Sequence, residues 1–129
     1  MNINHACLVC LGSNKDGHFH LMSAQQALLM HFNEVHMGQI VVTRAEGNIK
    51  QADYLNQAAR FRTKLCVEDV ERILKQIEKK NGRTFNDKMK GSVPLDIDLL
   101  VYDDILLRPN DLEKAYVKLA LESLSSKNS

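Results

Sequence analysis

The chain has 129 residues, 44% of them hydrophobic and 26% charged, which indicates a folded globular protein and excludes a disordered one. Its 17 Lys and Arg residues nearly balance 16 Asp and Glu residues, and the net charge of +1 disfavours a dedicated nucleic-acid-binding protein. We expect a single domain over residues 1–129. Because neither a signal region nor a membrane-length apolar run is visible, we expect a cytoplasmic protein with no membrane partner.

The first half of the chain predicts three strands and one helix. The strands are expected at residues 5–11, 34–44 and 54–65. A turn at residues 12–14 ends the first strand, and the helix that follows has Asp16 as a candidate N-cap and ends near Phe32. The polar segment 45–53 contains Gly47 and predicts a loop.

Cys7 and Cys10 form a C-x-x-C pattern inside the first strand. Residues three apart in a strand point to opposite faces, so the two thiols are not expected to share a metal or a disulfide. With Cys66 the chain has three cysteines, and an odd number argues against a disulfide framework. We therefore expect buried thiols that pack as small apolar side chains.

The second half predicts a helix, a strand and a final helix. The helix at residues 67–81 is the clearest, because acidic side chains occupy its first turns, lysines its last, and Gly82 follows it. The segment 84–94 predicts an irregular loop, and residues 95–102 predict a strand followed by a short hairpin. The last helix begins near Pro109, with apolar positions at Leu112, Tyr116, Leu119 and Leu124, and residues 125–129 are expected to be a disordered tail.

This order of elements predicts an α+β fold. Two βαβ halves favour a ferredoxin-like βαββαβ antiparallel sheet with helices packed on one face, plus a C-terminal helix. The other face of the sheet is then expected to be free for a ligand.

The main chemical signal is the strand Leu95-Asp96-Ile97-Asp98-Leu99. Period-two alternation places both carboxylates on one face, roughly 7 Å apart along the strand. Magnesium takes hard oxygen ligands, needs only one or two protein carboxylates and bridges to substrate phosphates. The alternative is an ordinary strand face with two solvated aspartates, and the spacing alone leaves both open.

Four segments together resemble the 6-hydroxymethyl-7,8-dihydropterin pyrophosphokinases of folate synthesis. They are Leu11-Gly12-Ser13-Asn14, Asp53-Tyr54-Leu55-Asn56, the helix end from Ile77-Glu78 to Gly82-Arg83, and Leu95-Asp96-Ile97-Asp98-Leu99. Their order and spacing fit the family over residues 6–124. The resemblance implies transfer of a pyrophosphoryl group from ATP to the hydroxymethyl oxygen of the pterin, with release of AMP.

The resemblance also implies a role for individual residues. Asp96 and Asp98 would hold two magnesium ions and, with Arg83, serve catalysis. The residues implied to bind the pterin are Gly12, Tyr54, Asn56 and Tyr116. The residues implied to bind the nucleotide are Glu78, Arg83, Lys88 and Lys90. Each has a structural alternative: a strand tyrosine or asparagine, an apolar position of the last helix, a surface glutamate or a helix-terminal cation.

The sequence departs from the family on the nucleotide side. Val93 stands where the family has an arginine three residues before the first aspartate, and no histidine follows the last strand near Pro109. Lys88 and Lys90 replace arginines of the loop, but a lysine does not reproduce a bidentate guanidinium. A second hypothesis is therefore a catalytically weakened member that acts as a pterin-binding, nucleotide-binding or regulatory protein.

A third hypothesis is a ferredoxin-like module that binds RNA or another protein. It requires aromatic side chains on the open sheet face, for which only Tyr54 and Tyr102 are candidates. The oligomeric state is left open by the sequence.

Overall fold

The structure, a computed structural model, describes residues 4–44 and 53–127. Its strands are β1 His5–Ser13, β2 Asn33–Thr43, β3 Tyr54–Thr63, β4 Asp96–Tyr102 and β5 Ile105–Leu106. Its helices are α1 Gly17–His31, α2 Val67–Lys80, α3 Asp87–Lys90, α4 Pro109–Leu112 and α5 Ala115–Lys127. Most of the predicted loop at 45–53 lies outside the described residues, as do the last two residues of the predicted tail. Residues 125–127 of that tail belong to α5, so the prediction of a disordered segment is wrong for them. Within the described ranges no helix has the length and apolar character needed to cross a membrane.

The strands form one antiparallel sheet in the order β2-β3-β1-β4-β5. β1 lies in the middle of the sheet because it pairs with β3 on one side and with β4 on the other. The first four strands, with α1 and α2 as their connections, have the ferredoxin-like order, so the predicted fold class is confirmed. β5 returns from β4 through the predicted hairpin and extends the sheet by two residues.

The main core fills the space between the sheet and helices α1 and α2. Alternation along β1 and the 3.6-residue period of α2 direct one face of each element inward. The side chains of these two elements that meet there are Cys7, Val9, Leu11, Val70, Leu74 and Ile77. At one end of this core Phe32 stacks on Phe61 of β3, with ring centroids 3.9 Å apart.

The two cysteines of β1 lie on opposite faces of the sheet, as predicted. Cys7 belongs to the helix-side core, whereas Cys10 packs with Leu100 and Val117 on the other side. Burial raises the pKa of both thiols to about 12, so both are neutral near pH 7. All three cysteines are free thiols.

The C-terminal helix α5 covers part of the sheet face that was expected to be free. It packs mainly on β2 and β3, where Ala120 and Leu124 meet Ala58. A second contact joins Val117 to Cys10 and Leu100. The expectation of a fully open face is therefore wrong, and the ligand space on this face is confined to what α5 leaves uncovered.

A glycine permits the close approach of α5 to β2. A Cβ atom at Gly38 would lie 3.3 Å from the carbonyl oxygens of Ala120 and Ala58 and would overlap the hydroxyl of Ser123. That hydroxyl accepts a hydrogen bond from the Gln39 amide at 2.8 Å and donates one to the Ala120 carbonyl at 2.7 Å.

Local details differ from the sequence predictions in three places. Asp16 occupies the N-cap position of α1, as predicted, but it adopts a left-handed conformation and its side chain makes no cap hydrogen bond. The predicted irregular loop contains the short helix α3. The predicted last helix is interrupted between Leu112 and Ala115, and the turn of α5 that follows leaves Leu119 53% exposed rather than in the apolar stripe.

A β-bulge moves Tyr102 away from the open face. Leu8 pairs with Val101 but Val9 pairs with Leu99, so Leu100 is an extra residue in β4. The bulge reverses the alternation, and Tyr102 lies in the helix-side core with its hydroxyl donating to the Leu65 carbonyl at 2.7 Å. Tyr102 is therefore not available as a stacking aromatic for RNA.

Candidate active site

Three neighbouring strands contribute one residue each to a row on the sheet face that carries α5. Gly12 of β1 is paired with Asn56 of β3 on one side and with Asp96 of β4 on the other. A Cβ atom at Gly12 would lie 3.3 Å from the Asn56 Oδ1 and 3.6 Å from the Tyr54 Cδ1. The glycine therefore leaves a hollow in the sheet surface between the amide of Asn56 and the carboxylate of Asp96.

A cavity of about 220 Å³ opens over this hollow, and we call it the tyrosine cavity. Its lining residues are Gly12, Thr43, Tyr54, Asn56, Lys88, Asp96, Lys114 and Tyr116. All four residues that the resemblance implies for the pterin are therefore brought together, along with Asp96 and three cationic or hydroxyl side chains.

A partly buried hydrogen bond fixes the floor of the tyrosine cavity. The Asn56 Nδ2 donates to the Thr43 Oγ1 at 2.8 Å, which orients the amide of Asn56. Tyr54 is half-buried beside it, and burial together with the charge of Asp96 raises the pKa of the Tyr54 phenol. Tyr54 and Tyr116 are thus neutral aromatic walls near pH 7, since burial raises the pKa of Tyr116 as well.

A second cavity of about 170 Å³ lies on the other side of Asp96, and we call it the arginine cavity. Its lining residues are Glu71, Leu74, Lys75, Glu78, Arg83, Lys88, Asp96, Ile97, Asp98 and Arg108. Asp96 and Lys88 line both cavities. Glu78, Arg83 and Lys88, three of the four residues implied for the nucleotide, are at this cavity, whereas Lys90 lines neither.

Arg83 is held at the end of α2 by acceptors on β4. Its Nη1 donates to the Leu95 carbonyl at 2.9 Å and to the Asp96 Oδ1 at 3.1 Å. The same nitrogen is 3.8 Å from the Glu78 Oε2, and the Arg83 Nε is 3.7 Å from the Asp87 Oδ2. Three carboxylates therefore surround one guanidinium.

Glu78 joins α2 to the strand that carries the aspartates. Its Oε2 accepts a hydrogen bond from the Ile97 amide at 2.7 Å, between the two aspartates. Burial raises the pKa of Glu78, and the Ile97 hydrogen bond and Arg83 partly oppose this rise. Glu78 is thus built into the site and is not a solvated surface glutamate.

Asp98 lies beside Asp96 in a partly buried position. Burial and the negative charge of Asp96 raise the pKa of Asp98 to about 6, and Arg108 acts in the opposite direction. The Arg108 Nη2 lies 3.5 Å from the Asp98 Oδ1. Each aspartate thus has one arginine as a neighbour, Arg83 for Asp96 and Arg108 for Asp98.

Hydrogen bonds fix the segment between α2 and β4 near both of its ends. Asp87 accepts hydrogen bonds from the Thr84 amide at 2.6 Å and the Thr84 hydroxyl at 2.5 Å. Asn14 forms two hydrogen bonds with the buried Val93. The backbone amide of Val93 donates to the Asn14 Oδ1 at 2.6 Å, and the backbone amide of Asn14 donates to the Val93 carbonyl at 3.0 Å. The Asn14 side chain also donates to the Gly91 carbonyl at 2.8 Å.

Thr43, Arg108 and Lys114 line the two cavities, although the sequence did not predict them as site residues. Thr43 is at the end of an edge strand, and its contact with Asn56 depends on the β2–β3 register. One feature of the sequence could have pointed to Arg108, because it is a cation directly before Pro109 at a helix start. Its contact with Asp98, however, depends on the hairpin. Lys114 lies in the break between the last two helices, which the pattern did not predict.

The donor set at Asp96 and Asp98 fits a divalent cation. Among the described residues no group of three His, Cys, Asp or Glu side chains forms a complete protein cage. Magnesium does not need one, because it is commonly held by one or two carboxylates together with waters and substrate phosphates. Asp96 and Asp98, which both line the arginine cavity, supply such a pair of carboxylates.

The fold and the site define an α+β protein with a paired-carboxylate site between two small cavities. The family model for 7,8-dihydro-6-hydroxymethylpterin-pyrophosphokinase (HPPK) matches residues 8–126. The chain belongs to this family, as the resemblance indicated. Its enzymes are diphosphokinases that transfer pyrophosphate from ATP to hydroxymethyldihydropterin in folate synthesis.

Proposed function

We propose that this chain is a cytoplasmic, magnesium-dependent diphosphokinase acting on 6-hydroxymethyl-7,8-dihydropterin, with ATP as co-substrate. The observation that carries the proposal is the position of Asp96, which with Lys88 lines both cavities. In a transfer between two bound molecules the reacting groups must meet. A carboxylate at the junction of two cavities is the place where such groups face each other.

The tyrosine cavity is the proposed seat of the pterin. The flat ring would lie against Tyr54 and Tyr116 over the hollow left by Gly12, and the fixed amide of Asn56 would hydrogen-bond its polar edge. The ring's hydroxymethyl group would then point towards Asp96.

The arginine cavity is the proposed seat of the ATP phosphates. Arg83 supplies charge-assisted donors at its wall, and Lys88 supplies charge at the junction. Glu78 keeps α2 and β4 together beneath them. Arg108, which sequence reasoning missed, adds a guanidinium beside Asp98 and makes up in part for the absent loop arginines. Lys90 lines neither cavity and is assigned no role.

The reaction forms a bond from the hydroxymethyl oxygen to the β-phosphorus of ATP and breaks the bond between that phosphorus and the oxygen left on AMP. Asp96 and Asp98 would hold two magnesium ions, which neutralise phosphate charge when bound. Arg83 and Lys88 would stabilise the negative charge that develops on the phosphoryl oxygens. The proton of the hydroxymethyl group is released to the surrounding water.

AMP release tests the proposal directly. Purified protein is mixed with magnesium, ATP and reduced hydroxymethylpterin, and nucleotides are separated by chromatography. We expect pterin-dependent AMP that falls at least about 100-fold in Asp96→Asn, because one electrostatic group of this kind contributes on the order of 10²–10³ in rate. Asp69→Asn, an aspartate on α2 paired with Arg72, is the matched control and should keep its rate. Unchanged turnover in Asp96→Asn would overturn the assignment.

A second candidate function is pterin or nucleotide binding without turnover. The observation that favours it is the position of Val93, which is 1% exposed and whose backbone amide donates a hydrogen bond to Asn14. Because this residue is a valine, the position where the family has an arginine supplies no cation to the site. Isothermal titration calorimetry separates the two functions. Pterin binding by calorimetry with no AMP in the release assay would support binding without turnover. Tight magnesium-ATP binding by calorimetry with AMP formed in that assay would exclude it.

A further inference from the structure

A third cavity lies at the opposite end of the sheet from Asp96, and we call it the basic groove. Its volume is about 410 Å³, larger than either cavity of the candidate active site. Its lining residues are Ala6, Cys7, Glu34, His36, Arg60, Phe61 and Arg62. No described residue of α5 lines it, so this part of the sheet face remains open to solvent.

Strand geometry brings the cations of the basic groove together. Arg60 and Arg62 are two residues apart in β3, so alternation places both side chains on the face that also carries Asn56 and Ala58. In the sheet His36 is paired with Arg60, and Ala6 is paired with Arg62. The small side chain of Ala6 leaves the space between the strands open.

The guanidinium groups are poorly matched by acceptors. The Arg60 side chain is partly buried and makes no hydrogen bond or ion pair with any other residue in the part of the chain that the structure describes. Arg62 has two long contacts, 3.8 Å to the Glu34 Oε2 and 3.4 Å to the Asn4 carbonyl. Among the described residues, Glu34 is the one carboxylate within ion-pair distance of these two guanidiniums, and the charge of Arg62 also acts on Asp103. A guanidinium without a partner, as in Arg60, is free to donate charge-assisted hydrogen bonds to an anionic ligand.

We propose that the basic groove is a second ligand site, which binds a phosphate group of a small molecule. An arginine fork matches the oxygens of a phosphate in bidentate geometry, and Arg60 and Arg62 present two such forks beside the His36 ring. The volume is in the range of small-molecule sites. Arg60 is four residues along β3 from Asn56, about 13 Å at the strand rise, so the phosphate bound here is distinct from any held near Arg83.

Amide chemical-shift mapping by NMR tests the site, with inorganic phosphate and AMP as probes and no magnesium present. We expect both probes to shift amides of β2 and β3 around residues 34–36 and 60–62. AMP binding as tightly as phosphate would identify the phosphate group alone as the ligand, and tighter AMP binding would add a contact to the nucleoside; both support the site.

The variants are Arg60→Gln and Arg62→Gln, the second chosen because Arg62 is exposed and its loss leaves folding intact. Each should weaken phosphate binding in the groove at least about tenfold, the effect of losing roughly 1.4 kcal/mol. Arg72→Gln, on the exposed face of α2, is the control and should bind as the parent does. Shifts confined to residues near Asp96, or unchanged in both groove variants, would overturn the proposal. So would binding of an RNA oligonucleotide to the groove with no response to phosphate or AMP.

Discussion

At the scale of single residues, Glu78 combines a structural bond with a pH dependence. Its carboxylate accepts the Ile97 amide, so Glu78→Ala leaves a buried donor without a partner and should cost about 1–3 kcal/mol of unfolding free energy. Glu78→Gln keeps an acceptor oxygen and should cost less. Urea unfolding near pH 7 compares the two variants, and equal losses in both would show that the Ile97 hydrogen bond is not the cause.

The sign of the pH effect follows from the raised pKa of Glu78. Burial lifts it above the ordinary value of 4.5, so the folded state holds the proton more tightly than the unfolded chain. The contribution of Glu78 to stability is therefore fully present below pH 4.5 and is lost as the pH rises through the raised pKa. Glu78→Gln, which does not titrate, should gain stability relative to the parent across that window. Stability measured by urea unfolding as a function of pH checks this difference, with Glu68→Gln at the exposed start of the same helix as the control variant.

Residue spacing predicted part of the site and not the rest. Alternation was enough to place Asp96 beside Asp98 on one face, and the resemblance placed Tyr54 and Asn56 together; the structure puts all of them around one junction. Arg108 could not be found in this way. Its contact with Asp98 depends on the hairpin and the turn that bring it back to β4, and local pattern carries no information on that distance.

At the scale of elements, Asp103 fastens the β4–β5 hairpin to the start of β1. Its Oδ1 accepts the Ala6 amide at 2.9 Å and its Oδ2 is 2.7 Å from the His5 Nδ1. These hydrogen bonds, that from His5 first, lower the pKa of Asp103 below its ordinary value of 3.8. Its contribution is therefore present above pH 3.8 and is lost as the pH falls through the lowered pKa.

Asp103→Asn should accordingly be less stable than the parent near pH 7, and the two should converge in strong acid. Asparagine keeps one acceptor oxygen and tolerates the left-handed conformation of this residue, whose φ is 55°. Asp103→Ala loses both features and should be less stable than Asp103→Asn at every pH. Thermal melts as a function of pH measure these differences, with Asp104→Asn as the neighbouring control. A gap between parent and Asp103→Asn that persists unchanged into strong acid would contradict the assigned role.

The close contact between β2 and α5 at Gly38 predicts the effect of a larger side chain there on stability. Gly38→Ala places a methyl group against two carbonyl oxygens and the Ser123 hydroxyl, so α5 must shift outward. Overpacking of this kind typically costs about 1–3 kcal/mol, which urea unfolding would measure. Because Ser123→Ala removes the hydroxyl nearest the new methyl, the double variant should be less destabilised than the sum of the two single variants. Strict additivity would show that the hydroxyl is not the obstacle.

Elements with strong local signals were predicted well, and elements set by tertiary contacts were not. The helix α2 has an amphipathic stripe, a complementary charge order and a glycine at its end, and it lies where expected. The bulge at Leu100 has no local signal, and it reversed the face of Tyr102. Leu119 likewise faces solvent, because α5 packs on the sheet through Val117, Ala120 and Leu124 and Leu119 lies on the opposite side of that helix.

At the scale of the whole molecule, one sheet is buried on both faces by different helices. α1 and α2 cover one face and α5 covers part of the other, so the ligand site is enclosed by an edge of α5 that carries Tyr116. The sequence predicted the sheet and its helices but left the second face open, since nothing local specifies which surface a C-terminal helix will choose. The same choice leaves the basic groove uncovered at the far end.

Packing on both faces predicts that the protein unfolds as one unit. Leu124 is 5% exposed and packs on Ala58, and Leu124→Ala should lower the free energy of unfolding by about 2–5 kcal/mol. Leu119→Ala, in the same helix but 53% exposed, is the matched control and should change it by less than about 0.5 kcal/mol. Urea titrations followed by far-ultraviolet circular dichroism and by tyrosine fluorescence should coincide in both variants. An early separate transition in Leu124→Ala would mean instead that α5 detaches while the ferredoxin-like sheet remains folded, and the tyrosine cavity would then depend on a helix that opens by itself.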